Sequence, residues 1–273
     1  RDAVPGFAPA QFSTQTPWGV PAFFLGNSST GEIAWNRFQE FRAQADFSVG
    51  LGQHADLAFG GLYAAQDVKT FQRIDASLPV GGEVPPATAA SFSPTLTAAY
   101  VEGQARTGDL GFTVGVRLDG FDPGADLENA TLGARQSINP RAAVSTVLKG
   151  ATIVGSVGRF SQPPDLQYLI DAAFDDTTRT GRFRQGNPDL GFEEGSQFEL
   201  SARIRVRPHS SLKLNVYTKR LDGLVSTTPL GANPDSSRFI NADFGTVIGG
   251  EVIFERERVN GLGARLALVM QRA

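Results

Sequence analysis

Two side chains in this chain are of the type most used for proton transfer near neutral pH, His54 and His209. Both fall in short polar stretches, Gly52–Asp56 and Pro208–Ser210, and each reads as a solvated turn residue rather than a general base. No nucleophile–base spacing accompanies either, and nothing in the spacing supports an Asp-only or Asp–Ser site. The chain therefore reads as a non-enzyme with no catalytic residues to assign. Asp171, Asp175 and Asp176 offer the hard oxygens that calcium takes. Their Asp-x-x-x-Asp-Asp spacing lacks the glycine-turned loop of a dedicated calcium site, so they read as a solvated loop, and no metal or cofactor is expected. Arg203, Arg205 and Arg207 recur at every second position, with Glu251, Glu255 and Glu257 downstream. The preferred reading is a cross-strand charge ladder that stabilises a sheet. The functional alternative is a polar surface that steers an anionic solute.

Composition removes further classes. The 273 residues contain no cysteine, so disulfides, thiolate metal sites and a Cys nucleophile are excluded. A net charge of -3 without a basic cluster argues against nucleic acid as a partner. No apolar run approaches the ~18 residues of a spanning helix. The chain starts at Arg1 and its one methionine is Met270, which reads as a mature chain or an excised piece.

The elements that carry these residues show period-two alternation almost throughout. Phe41, Ala43, Ala45, Phe47, Val49 and Leu51 alternate with Arg42, Gln44, Asp46 and Ser48. Leu110, Phe112, Val114, Val116 and Leu118 repeat the pattern, as do Phe198, Leu200, Ala202, Ile204 and Val206 against Gln197, Glu199, Ser201, Arg203 and Arg205. Ten strands are expected, at 37–51, 57–72, 93–107, 109–121, 139–149, 151–161, 195–208, 210–227, 238–257 and 261–273. Their connections alternate in length. Short turns lie at Gly52–Asp56, Thr107–Asp109, Lys149–Ala151, Pro208–Ser210 and Arg258–Gly261, and long loops at Gln72–Phe92, Asp122–Ile138, Ser161–Glu194 and Thr228–Ser237. In a meander this places all short turns at one end and all long loops at the other. Strands longer than the ~9–11 residues that cross a bilayer, with such segregated loops, fit an outer-membrane barrel. A soluble β-sandwich that binds carbohydrate also alternates, but with shorter strands.

Three passages then carry a family resemblance. Tyr100–Asp119 is similar to the hairpin of TonB-dependent outer-membrane receptors, in which an aromatic strand meets a Gly-Asp turn and a strand ending Gly-x-Arg-x-Asp. Asn139-Pro-Arg-Ala-Ala-Val-Ser, with Gly155-Ser-Val-Gly-Arg-Phe-Ser-Gln-Pro-Pro164, resembles that family's next hairpin. Gly186-Asn-Pro-Asp-Leu190 followed by Glu193-Glu-Gly-Ser-Gln-Phe-Glu-Leu200 looks like its Gly-Asn-Pro-x-Leu-x-x-Glu signature, and Lys219-Arg-Leu-Asp-Gly-Leu-Val225 matches the end of the following strand. The chain departs from the family at Gly191, where lysine is usual, and Phe192, where proline is common.

The resemblance implies an all-β fold: a transmembrane antiparallel β-barrel, partial, with about ten meander strands of a roughly 22-strand barrel around a plugged lumen. Residues 1–36 are expected to form a long surface loop or irregular lead-in, and 37–273 the barrel wall segment. A plug domain and terminal aromatic strand are not visible, so the chain reads as a fragment whose first and last strands should not pair. The resemblance further implies localisation in the cell outer membrane. It implies uptake of a scarce large solute (siderophore, cobalamin, glycan or peptide) with energy from the TonB complex reached through the plug, and outer-membrane lipid as a partner. A passive porin or complete small outer-membrane barrel is the alternative. In such a membrane the Asn27-Ser28-Ser29 glycosylation pattern carries no weight. No ligand-contacting residue can be assigned.

Overall fold

The computed structural model describes residues 31–75, 88–124, 135–169, 183–259 and 261–273. In chain order the strands are β1 (Gly31–Gly50), β2 (Ala55–Asp75), β3 (Thr88–Phe92), β4 (Thr95–Thr107), β5 (Leu110–Asp122) and β6 (Arg135–Leu148). They continue as β7 (Ala151–Gln162), β8 (Phe183–Gln185), β9 (Glu193–Arg207), β10 (Ser210–Leu230), β11 (Asn233–Val259) and β12 (Leu262–Arg272), with one 3-10 turn at Leu166–Leu169. All ten expected strands are present and pair in sequence order, β1-β2-β4-β5-β6-β7-β9-β10-β11-β12. Among the described residues β1 and β12 are the two outer strands and do not pair with each other. The sheet is an open antiparallel meander, as a partial barrel requires. Two short strands escaped sequence reading: β3 pairs with the far end of β2, and β8 runs parallel to β11.

The boundaries differ most in two places. β1 begins at Gly31 rather than 37, so the last six residues of the expected lead-in are strand, and residues 1–30 lie outside the described residues. Its register against β2 is unbroken from Gly31↔Asp75 to Gly50↔Asp56, and pairing on that scale overrides the weak local signal. The expected long loop Thr228–Ser237 is instead a β-ribbon, in which β10 and β11 stay paired to Leu230↔Asn233. Its bulges surround Gly223, and it closes at Gly231; both glycines have positive φ, at 67° and 63°. Pro229 and Gly231 read as loop punctuation, but Gly231 is the turn residue at the ribbon tip and Pro229 lies within β10, paired with Ser237 beside a register shift.

The short turns gather at one end of the sheet. Lys149 and Gly150 both have positive φ, 43° and 85°, the twist-matched geometry of a two-residue hairpin. At the same end β9 and β10 are joined through Pro208 and His209, and β4 and β5 through Gly108 and Asp109.

Alternation separates two faces. Register aligns Phe47, Phe59, Val101 and Val116 in one row, and Phe112, Val144, Gly155, Leu200, Val216, Gly250 and Met270 in another. These apolar side chains are exposed: Val114 is 64% accessible and Phe112 40%, where a soluble core would have them covered. Phe47 and Phe59 stack at 5.4 Å between ring centroids on this face. Such an exposed apolar band suits hydrocarbon, not water.

The other face is a polar network laid over glycines. Glu102 and Arg141 form an ion pair at 2.6 Å although β5 lies between their strands. The residue between them in register is Gly115, which leaves room for the contact. The same device recurs where Tyr100 Oη donates to Asp46 at 2.8 Å across Gly60, and where Tyr217 Oη donates to Gln271 at 2.9 Å across Gly249. A Cβ at Gly60 or Gly249 would strike the tyrosine ring above it. Polar side chains thus tie alternate strands together across the inner wall.

Candidate functional site

The long-loop end is held by a compact core. Phe92, Leu169, Leu190 and Phe239 are buried together, with Val68, Tyr168 and Val225 against them. Phe92 belongs to β3, which rides on β2, whereas Phe239 belongs to β11; β2 and β11 stand second and ninth in the strand order. The 3-10 turn and the segment after β8 bridge them. Strands that are distant in the sheet therefore meet over this end.

The Gly186–Leu190 segment is the clip. Asn187 is buried; its Nδ2 donates to the Phe239 carbonyl at 2.7 Å, and its Oδ1 accepts from Asp189 N and Arg238 Nη2, each at 3.0 Å. Its backbone N–H donates to the Tyr168 carbonyl at 2.9 Å. Arg135, at the start of β6, donates to the Pro188 carbonyl. Burial pulls the Arg135 guanidinium below its ordinary value, opposed by the charges of Asp189 and Asp122. Asn241 continues the clip, accepting from Gly191 N at 2.7 Å and donating to the Gly223 carbonyl at 2.7 Å, while Val225 N donates to Glu193 at 2.9 Å. The motif that carries the resemblance is thus an architectural joint. Of the departures, Phe192 packs edge-on against Phe121 with ring centroids 6.4 Å apart, while Gly191 contributes only its backbone N–H, which donates to Asn241. Arg135, Arg238 and Asn241 were not singled out from sequence, because their partners lie about 50 residues away.

The residues weighed for chemistry fall elsewhere. His54 sits in the β1–β2 turn, where its carbonyl accepts from Arg106 N at 2.8 Å. His209 occupies the β9–β10 turn with φ at 66°, and its Nδ1 lies 3.2 Å from Glu257 Oε2. Both members of that pair are exposed, and among the described residues no hydroxyl bonds to the imidazole. Asp171, Asp175 and Asp176 lie outside the described residues, and Asn27–Ser29 likewise. Among the described residues no three His, Cys, Asp or Glu gather as a metal site.

The expected charge ladder does not form. β10 lies between β9 and β11, and the register sets Arg203 opposite Thr152 on one side and Lys213 on the other. Arg205 faces Ser211, and Arg207 faces Ser210. Glu251 faces Asn215 and Val269 instead of an arginine, Glu255 pairs with Arg265 at 3.2 Å, and Glu257 with His209. The three arginines, His209, Glu255 and Glu257 nonetheless line one hollow of about 840 Å³ at the short-turn end.

The family model described as TonB dependent receptor-like, beta-barrel matches residues 6–262. No curated protein matches the chain by sequence. Among solved structures, the chain is similar to the FrpB iron transporter of Neisseria meningitidis (F3-3 variant), at a TM-score of 0.65 and 16% identity, over 87% of this chain and 36% of that one. It is similar to the ferric yersiniabactin uptake receptor FyuA of Yersinia pestis, at a TM-score of 0.67 and 12% identity, over 92% and 37%. It is also similar to the copper transporter OprC, at a TM-score of 0.61 and 12% identity, over 90% and 39%. The chain thus spans little more than a third of the length of these structures, and at such identities the likeness is one of fold. With the family model covering nearly the whole chain, and a sheet whose exposed apolar band, segregated loops and open edges are those of a partial barrel, the chain belongs to the TonB-dependent receptor-like β-barrel family.

Proposed function

We propose that the chain is wall and loop structure of an outer-membrane active-transport receptor that takes up a scarce large solute with energy from the TonB complex. The observation that carries this reading is the exposed apolar band on one face of a ten-strand meander whose other face is polar. A sheet so divided is stable with lipid on one side and a hydrated or protein-filled lumen on the other. The wall crosses the membrane, and the clipped long-loop end faces outward and contributes to solute capture. The solute class stays within siderophore, cobalamin, glycan and peptide; the iron transporter and ferric yersiniabactin receptor among the similar structures support the first. The reading is of a receptor, not an enzyme: the family and the similar structures are transporters and receptors, and the two histidines sit in exposed turns.

Uptake of labelled ferric siderophore, cobalamin, oligosaccharide and peptide by cells carrying or lacking the full-length parent tests the proposal. One solute should enter only with the parent present, and its entry should stop when the inner-membrane proton gradient is collapsed. Uptake that persists after collapse would favour the passive porin reading.

A further inference from the structure

We infer that Arg203, Arg205 and Arg207 form an oxyanion-binding site on the inner wall at the short-turn end, a site for clustered carboxylate or phosphate groups. The inference rests on the barrel reading, which makes the polar face the lumen. Four observations carry it. Arg203 and Arg205 share one strand face two residues apart, and Arg207 follows across the register shift between Ser210 and Ser211, all three bordering the same hollow. Lys213 stands directly opposite Arg203, which adds a fourth cation to the row. Like charges directly opposite one another disfavour a sheet, and these lie within the Debye length of ~8 Å, where salt screens little.

The two carboxylates that line the same hollow, Glu255 and Glu257, each have another partner. Glu255 is held by Arg265 at 3.2 Å and Glu257 by His209 at 3.2 Å, and among the described residues no carboxylate forms an ion pair with the three arginines. Finally, the row faces space. The hollow of about 840 Å³ that these arginines line also receives the hydroxyl-bearing residues Thr152, Ser210 and Ser211. Guanidinium forks with flanking hydroxyls are a donor set for oxyanions, since each fork can grip two oxygens at once. One ligand chemistry has two sources here: acidic side chains of a lumen-filling domain of the parent, since large barrels of this kind hold a plugged lumen, or the anionic groups of a free solute.

The test uses the full-length parent in bilayers, with assembly into the outer membrane scored separately, so that a failed barrel reading is distinguishable from a failed site. Inorganic phosphate is compared with chloride at equal ionic strength. In parallel, an Arg205→Lys variant is treated with a carbodiimide, which joins an amine to a carboxylate in direct contact. If the site takes a free oxyanion, phosphate raises the thermal midpoint of the parent by about 1–3 °C. The shift then vanishes in a variant carrying Arg203→Ser, Arg205→Ser and Arg207→Ser. If the parent's own carboxylates fill the site, phosphate has no effect, and the amine introduced by Arg205→Lys cross-links to an acidic residue outside residues 1–273. Should the triple variant fail to assemble, Arg205→Ser alone serves for the comparison. An assembled parent with neither phosphate protection nor a cross-link overturns the site, as does protection that survives loss of the arginines.

Discussion

Placing one cation at different depths on the apolar face would distinguish a lipid-facing wall from the core of a soluble sheet. Val114 is the central residue of the exposed apolar run Leu110, Phe112, Val114, Val116 and Leu118 on β5, 64% exposed, between Gly103 and Ala142 on the same face. Val114→Arg therefore meets no steric obstacle, and its cost reports the surrounding medium. At the bilayer midplane that cost is roughly 2–4 kcal/mol, equivalent to about a 30- to 700-fold loss in the folding constant at 1.4 kcal/mol per decade. Leu118 lies four residues along the same face. At ~3.4 Å per residue and a strand tilt of about 40°, it sits roughly 10 Å nearer the interface. The apolar band is about 25 Å tall, so Leu118 lies near its edge, from which a long arginine side chain can extend to the headgroups, and Leu118→Arg should cost only about 0–1 kcal/mol. Thr113, one residue from Val114, faces Gln104 and Ala143 on the polar side. Thr113→Arg should cost below about 1 kcal/mol, as expected of a surface substitution. The assay is denaturant unfolding of the full-length parent in bilayers for all three variants. Equal penalties at Val114 and Leu118, or a Thr113 penalty as large as that at Val114, would refute the lipid-facing assignment.

Three further outcomes follow from the joint and the topology. Asn187→Ala removes the bond to the buried Phe239 carbonyl and the acceptor for Arg238 and Asp189 N, and should lower the parent's stability by about 2–4 kcal/mol in the same unfolding assay; a loss under about 0.5 kcal/mol would show that the clip is not structural. Gly124 has a φ of +53°, and a Cβ there would collide with the Ser93 carbonyl oxygen, so Gly124→Ala should cost about 1–3 kcal/mol or more and shift the thermal midpoint accordingly; an unchanged midpoint would contradict the local geometry. An epitope inserted at Pro208–His209 of the parent should be hidden from antibody on intact cells and one within 170–182 exposed; the reverse pattern would invert the orientation.

Much of this architecture is legible in the residues because each strand carries one apolar and one polar face. Where one face is apolar and the other polar, alternation as clear as Phe198–Val206 fixes strand, face and approximate length together. The long-loop end is less legible. Phe92, Leu169, Leu190 and Phe239 form a core only because β3 and the 3-10 turn cross toward β11, and no local period encodes that meeting. The ribbon at Thr228–Ser237 was hidden by Gly231, whose turn chemistry is the same in a loop and at a ribbon tip, and by Pro229, which sits in the strand at a register shift. The arginine row shows a different limit. Its face was readable, but its neighbours depended on register: a shift in β10 would have set another residue, not Lys213, opposite Arg203. Asn187 was recognisable as a turn opener from Asn-Pro-Asp, whereas its role as a clip required Phe239 and Arg238, about 50 residues away.

The central claim, that this sheet is a membrane wall with one face to lipid and one to the lumen, is tested most directly by spin labelling along β9. The 273 residues contain no cysteine, so single cysteines at positions 197 to 206 of the parent report site by site, provided any cysteines elsewhere in the parent are replaced. In bilayers, oxygen should collide preferentially with labels at 198, 200, 202, 204 and 206, and a water-soluble nickel complex should not. Labels at 197, 199, 201, 203 and 205 should show weaker oxygen contact, with nickel access or immobilisation. A period of two with these phases is the predicted result. Uniform nickel access along the strand, or the opposite phase, would contradict the account.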